Sequence, residues 1–327
     1  LTPAAEKAMP GSDLKSDLWV YEYVTPWDYY AHGVTNMLRY ARTEFQEMMI
    51  VETGAYGKAL VLDGKWQSCT GDEFLYHEPL VQPALLQRAP ARNVLILGGG
   101  EGATAREVLR WNSVKRVVMI DIDRQVVDAC REHLPEMHQG AFDDPRLEVV
   151  IADALEYLDQ TDHDWDVIIS DLSDPIEEGP SFKLFTREYF EKTRASLTGG
   201  GVLVVQAGPV APVEMHLHCR LASTLHSIFK HTASLTTYVP TYVSPWSFVL
   251  ASDAPLDTTP NPVRIDDTLR EHTRGGLRMI DGQALLGCYL LPKHLRAAIE
   301  RESEVYTLAK PPKFFGHGIS AASAESD

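Results

Sequence analysis

The middle of the chain alternates short apolar runs with longer stretches of helical pattern. The runs cover residues 94–97, 117–120, 149–151, 167–169 and 202–205. Each is apolar at consecutive positions, which suits a strand covered on both faces, as in a parallel sheet. Between them, residues 103–111, 124–133, 154–158 and 186–197 carry helical periodicity or composition. This alternation predicts an α/β fold with a doubly wound, Rossmann-like sheet. Ligands of such sheets sit at the carboxyl ends of the strands.

The first 75 residues or so have a different pattern. "MMIVETGAYGKALVLDGKWQS" holds β-rich runs broken by Gly54 and Gly57, with a turn at Asp63-Gly64. This predicts hairpins in a small antiparallel β domain. The expected division is an N-terminal β-hairpin domain over 1–78 and a catalytic domain with a C-terminal extension over 79–327. From about Asp257 the pattern is polar loops with one helix at 294–303, and "SAASAESD" reads as a frayed end.

Composition narrows the partners. The 327 residues are 44% hydrophobic, enough for a substantial core. Thirty basic against 46 acidic residues give a net charge of -16, which repels nucleic acid and anionic membranes. No apolar run has the length of a membrane span. Four scattered cysteines without a C-x-x-C pair suit a reducing compartment, so a cytoplasmic location is expected. The first residues show no apolar signal core, and a chain that starts without Met leaves a trimmed leader open.

The candidate chemistry begins at "VLILGGGEGATAREVL". Gly98, Gly100 and Gly102 lie between a predicted strand and a predicted helix, where glycine lets the backbone turn and approach a ligand. The dinucleotide form G-x-G-x-x-G is not met, since residue 103 is Ala, although Ala is tolerated there. Asp121 closes the next strand and can accept both hydroxyls of a ribose. Asp153 follows the third strand, within reach of an adenine amino group or as a helix N-cap. Glu101 is out of place in a phosphate-binding turn and would suit a ligand with an amine at that end; the alternative is an exposed acid favoured by the helix dipole. Asp171 and Asp174 follow the fourth strand in "SDLSDPIEEG", where a bound amine could meet both. Magnesium is the rival for that pair. Zinc at His216, His218 and Cys219 is disfavoured, because i and i+2 positions of a helix point apart. No metal site is expected.

These stretches resemble one family. "GGGEGATAREVL", "DIDRQVVDACR", "GAFDDPRLEVVIADA" and "DLSDP" are similar to segments of the aminopropyltransferases, the spermidine and spermine synthase family. So are "EFQEMMIVET" and "GKALVLDGKWQSCTGDEFLYHEPLVQPALL". The likeness runs from about Tyr21 to Asp253. Within the family, "DLSDPIEEGPSFKLFT", "VVQAGPV" and "FFGHG" look most like thermospermine synthases. Spermidine synthases carry a P-T-Y-P-S-G-Q-like stretch where this chain has "PTYVSPWSFVL".

The resemblance implies transfer of an aminopropyl group from decarboxylated S-adenosylmethionine, a co-substrate, to a polyamine, with no cofactor. Spermidine is the expected acceptor, giving thermospermine and methylthioadenosine; the alternatives within the family are a spermidine synthase with putrescine as acceptor and a spermine synthase. It also implies roles. Asp171 matches the catalytic acid-base group, and Tyr76 supports the acceptor nitrogen. Asp174 and Tyr242 match acceptor-binding positions. Gln46, His77 and Glu101 match contacts to the donor's methionine-derived arm, Asp121 the ribose contact, and Asp153 with Ala154 the adenine end. Gln67 and Gln206 are expected to line the cleft, and 174–184 to act as a lid. Relatives form dimers, so a homodimer or higher homo-oligomer is expected. Two rival readings are a methyltransferase on the same fold and a non-catalytic polyamine-binding protein. The acids at Glu101, Asp171 and Asp174 argue against the first, and the full set of donor and proton-accepting residues against the second.

Overall fold

The computed structural model describes residues 15–16, 18–25, 27–160, 164–175 and 181–312. The predicted frayed end, residues 176–180 of the expected lid, and "FFGHG" lie outside the described residues.

The chain opens with a five-stranded antiparallel meander: β1 (Leu18–Thr25), β2 (Asp28–Arg42), β3 (Glu47–Thr53), β4 (Gly57–Leu62) and β5 (Lys65–Cys69). The β4–β5 turn is the expected Asp63-Gly64 pair, both at positive φ (48° and 75°). That conformation suits a two-residue hairpin turn. β2 was not expected. Its 15 residues are mostly exposed or half-buried, so the apolar alternation that marks a strand is weak.

Helix α1 (Phe74–Gln87) follows, and the expected domain junction at 78 falls inside it. Next come β6 (Asn93–Gly98), α2 (Ala103–Leu109), β7 (Arg116–Asp121), α3 (Arg124–His133), the single turn α4 (Pro135–His138) and β8 (Leu147–Ile151). Then α5 (Ala154–Gln160), β9 (Trp165–Asp171), α6 (Arg187–Ala195), β10 (Leu197–Pro209), α7 (His216–His226), β11 (His231–Val239) and β12 (Ser244–Ser252) complete the second sheet and its cover. Its order is β11-β12-β10-β9-β6-β7-β8, parallel from β10 to β8 and antiparallel at β11 and β12. The doubly wound sheet and the antiparallel N-terminal sheet agree with the expected fold.

The consecutive apolar runs have a direct cause. Alternate residues enter two cores. Ile96, Met119, Ile169 and Val204 pack on one face, and Leu97, Ile120, Ile168 and Val205 on the other. A third cluster joins the sheets, with Met48, Ile50 and Leu60 of β3 and β4 against Val126 and Cys130 of α3.

The C-terminal expectation needs correction. Instead of polar loops and one helix, the chain forms α8 (Pro262–His272), α9 (Gly282–Tyr289) and α10 (Lys293–Arg301). Helix α8 fully buries only Leu269, with Ile265 one turn earlier half-buried against the same core, so its apolar stripe is short. Its signal was the Asn261 N-cap with Pro262 behind it, and α9 has the same kind of start in Asp281.

Candidate active site

Strand order reverses between β6 and β9, so the loops after these neighbours leave in opposite directions and open a cleft. Register sets Gly98 beside Asp171. The turn after β6 has to be glycine. Gly98 and Gly99 sit at φ 85° and 75°, and a Cβ on Gly98 would lie 2.1 Å from the Asp171 carbonyl oxygen. A Cβ on Gly100 would lie 2.6 Å from the Asp121 carboxylate, so the bare turn keeps that carboxylate in place.

Asp171 is held from both sides. The Tyr76 hydroxyl donates to Oδ1 at 2.7 Å and the Thr104 hydroxyl to Oδ2 at 2.5 Å. Burial pushes its carboxyl up, and the His77 charge only partly offsets this. Tyr76 reaches the cleft from α1, with its ring edge-on to Tyr242 and Phe248. Burial first and then Asp171 hold its phenol protonated. Thr104 escaped sequence reasoning. Its one signal is its place in the first turn of the helix behind the glycines.

Asp121 has its Oδ1 on the Asp123 amide at 2.9 Å, and burial lifts its carboxyl to about 7. Gln46 comes from the β2–β3 connection and donates to Asp123 at 3.2 Å, as does Thr43 at 2.6 Å, which ties the first sheet to the cleft. Asp153 caps α5 by accepting from the Leu155 amide at 2.7 Å, and it also lines the cleft with Ala154. Both readings of that residue, cap and pocket wall, are therefore compatible.

His77 stands apart from the other candidates. It is fully buried and does not line the cleft. Its Nδ1 lies 2.9 Å from Glu73 and its Nε2 2.9 Å from Glu101. Burial disfavours its charge, but the two carboxylates outweigh that and hold it at about 10, a cation at neutral pH. It fixes Glu101, which does line the cleft. His77 therefore borders the cleft only through Glu101.

On the far side, Gln206 spans Leu172 and Asp174, donating at 2.7 and 3.1 Å. The Tyr242 hydroxyl donates to the Gln67 carbonyl. Beyond them stand three residues not singled out in the sequence: Glu22, Lys65 and Glu214. They come from β1, β5 and the loop before α7, too far apart in the chain to form a motif. In all, eight described lining residues are carboxylates and Lys65 is the one cation. Such a wall attracts a ligand carrying several positive charges.

Among the described residues no three His, Cys, Asp or Glu side chains form a group that could hold a metal. His218 is instead satisfied by Ser234 at 3.0 Å and Ser247 at 2.8 Å. No described helix is long and apolar enough to cross a membrane.

Comparison with known proteins bears on this cleft. Residues 73–260 match the spermine/spermidine synthase domain, and residues 18–69 the spermidine synthase tetramerisation domain. A polyamine aminopropyltransferase of Synechococcus sp. (strain JA-3-3Ab) is 57% identical over 306 residues, 91% of this chain and 98% of the relative. One from Sulfolobus acidocaldarius is 39% identical over 293 residues, 90% of this chain and 97% of the relative. A crystal structure of spermidine synthase in complex with the transition state analogue AdoDATO superposes with a TM-score of 0.81. It is 27% identical and covers 88% of this chain and 96% of its own.

Proposed function

The chain belongs to the spermine/spermidine synthase family, and from that premise we propose that it transfers the aminopropyl group of decarboxylated S-adenosylmethionine to spermidine, giving thermospermine. The observation that carries the reading is the charge of the cleft. The donor brings a sulfonium and an ammonium, and the acceptor brings further ammonium groups. Among the described lining residues, eight carboxylates against one lysine suit that pair and no anionic substrate.

The donor lies along the strand ends. Asp121 takes its ribose hydroxyls, and Asp153 with Ala154 the adenine end. Glu101, backed by the His77 cation, takes the ammonium of its aminopropyl arm, and Gln46 borders that arm. The bare Gly98 and Gly100 backbone lets the donor approach. The acceptor lies along Gln67, Asp174 and Tyr242, with its reacting nitrogen between Tyr76 and Asp171.

The chemistry is a displacement. The nitrogen lone pair forms a bond to the carbon beside sulfur, the carbon–sulfur bond breaks, and its electrons leave sulfur neutral. Positive charge moves to nitrogen, which gives up a proton. Free amines have a pKa of about 10, so the site has to present a neutral one. Asp171 is the base, buried and raised, and Tyr76 and Thr104 fix its direction. Alignment of nucleophile, carbon and sulfur supplies much of the rate.

Incubation with the donor and each of putrescine, spermidine and spermine, followed by chromatographic separation, tests the acceptor. Thermospermine from spermidine and little product from putrescine are expected. Product from putrescine alone would replace this reading with a spermidine synthase, and spermine from spermidine with a spermine synthase. In the same assay Asp171→Asn should lose about 10²–10⁴ in turnover. Turnover within a few fold of the original would remove Asp171 from the base's role.

We place a homo-oligomer on the first sheet, where Tyr21, Tyr29 and Tyr40 are 50–61% exposed on strands matching a tetramerisation domain. The domain division we propose lies in the turn at 70–73, before α1. Four buried, free cysteines favour a cytoplasmic setting.

A further inference from the structure

The far end of the cleft holds a charge that the displacement itself does not use. Lys65 extends from the start of β5, next to the Asp63-Gly64 turn, and its Nζ lies 3.2 Å from Glu22. Both side chains are only 15% exposed. Glu22 is also held from the backbone, since its Oε2 accepts from the Trp66 amide at 3.0 Å. Glu214 and Asp174 line the same end, fixed by Ser244 at 3.0 Å and by Gln206 at 3.1 Å. Burial pushes the carboxyls of Asp174 and Glu214 up, and Lys65 is among the groups that pull both back. One lysine therefore faces three carboxylates, the four groups coming from four separate elements and loops.

We propose that Lys65 is a specificity-determining residue: its ammonium occupies one amine's place at the end of the cleft and so sets how many charges the acceptor may bring. The inference rests on the polyamine reading above. Among the described residues, three carboxylates and one ammonium leave this end a formal charge of -2. An acceptor's reacting nitrogen is neutral when it attacks. A triamine then keeps two ammonium groups, which matches that charge. A diamine keeps one and leaves a carboxylate uncompensated. A tetraamine keeps three and places its last one against Lys65. In a poorly hydrated cleft a like charge or an unpaired carboxylate is costly, so charge count selects length.

Opposite substitutions give opposite results. Lys65→Met removes the built-in cation and should raise the affinity for spermine relative to spermidine at least tenfold. Glu22→Gln removes a carboxylate and should lower the affinity for spermidine relative to putrescine about tenfold. Lys65→Arg keeps the charge and should keep the original ratios within about threefold. Each ratio comes from calorimetric titration of the three amines into one protein preparation saturated with methylthioadenosine. It is therefore insensitive to the fraction that folds. Ratios that stay fixed in both charge-removing variants, or that shift the opposite way, overturn the role of Lys65 while leaving the polyamine reading in place. Failure of the unsubstituted protein to bind any of the three amines overturns both.

Discussion

At the residue scale, the cleft works by setting the charge of single groups against their burial. His77 and Asp121 are two outcomes of one contest. Burial disfavours charge on both. His77 has two carboxylates at 2.9 Å and stays cationic up to about 10. Asp121 has one backbone amide and the repulsion of Asp123, Glu101 and Asp171, and its carboxyl rises to about 7. A ribose donating its hydroxyls to Asp121 favours the ionised form. Binding should then expel a proton wherever the free carboxyl is still protonated, that is, below about 7. The sign follows: affinity rises with pH up to about 7 and is flat above it. Methylthioadenosine, which has no aliphatic amine, is the clean probe. Titration calorimetry at pH 6 in two buffers of different ionisation enthalpy should show release of most of one proton, and at pH 8.5 none. No release at pH 6 would mean that the nucleoside does not engage Asp121.

At the element scale, what the chain made legible tracks how each element is stabilised. The parallel strands announce themselves because both faces feed a core, as Leu97 and Ile96 show on adjacent positions of β6. Helix α3 is legible with its true ends in its own helical pattern over 124–133, and the structure adds Asp123 as its cap. The glycine turn and the acids after β7, β8 and β9 were legible for the same local reason, since strand-end positions follow from strand positions. Elements held by distant partners were not. Glu78 of α1 accepts from the amides of Arg278, Met279 and Ile280, 200 residues and more away, and nothing near Glu78 signals it. The helices α8 and α9 sit in that same tertiary setting: their short apolar stripes, Ile265 with Leu269 and Leu285 with Cys288 and Tyr289, join the core that α1 feeds. His77 shows the limit within the site. Its position in the cleft region could be matched by resemblance, but its orientation toward Glu73 and Glu101 is a property of packing between α1 and the β6–α2 turn.

At the scale of the whole molecule, the net charge of -16 and the acid-lined cleft act together on a cationic substrate. The surface field is long-ranged and screened. The Debye length falls from about 10 Å at 0.1 M salt to about 3 Å at 1 M. The buried contacts, Tyr76 and Thr104 on Asp171, lie at 2.5–2.7 Å and are screened far less. Salt should therefore separate capture from chemistry. Raising ionic strength from about 0.05 to 0.5 M should raise KM for the polyamine roughly threefold to tenfold and leave kcat within about twofold. Spermidine should suffer more than putrescine, because it carries one more positive charge through the same field. Steady-state rates with both amines across a sodium chloride series measure this directly. A KM that stays constant while kcat falls would place the salt-sensitive interactions at the reacting centre. The acidic exterior would then have no part in drawing the substrate in.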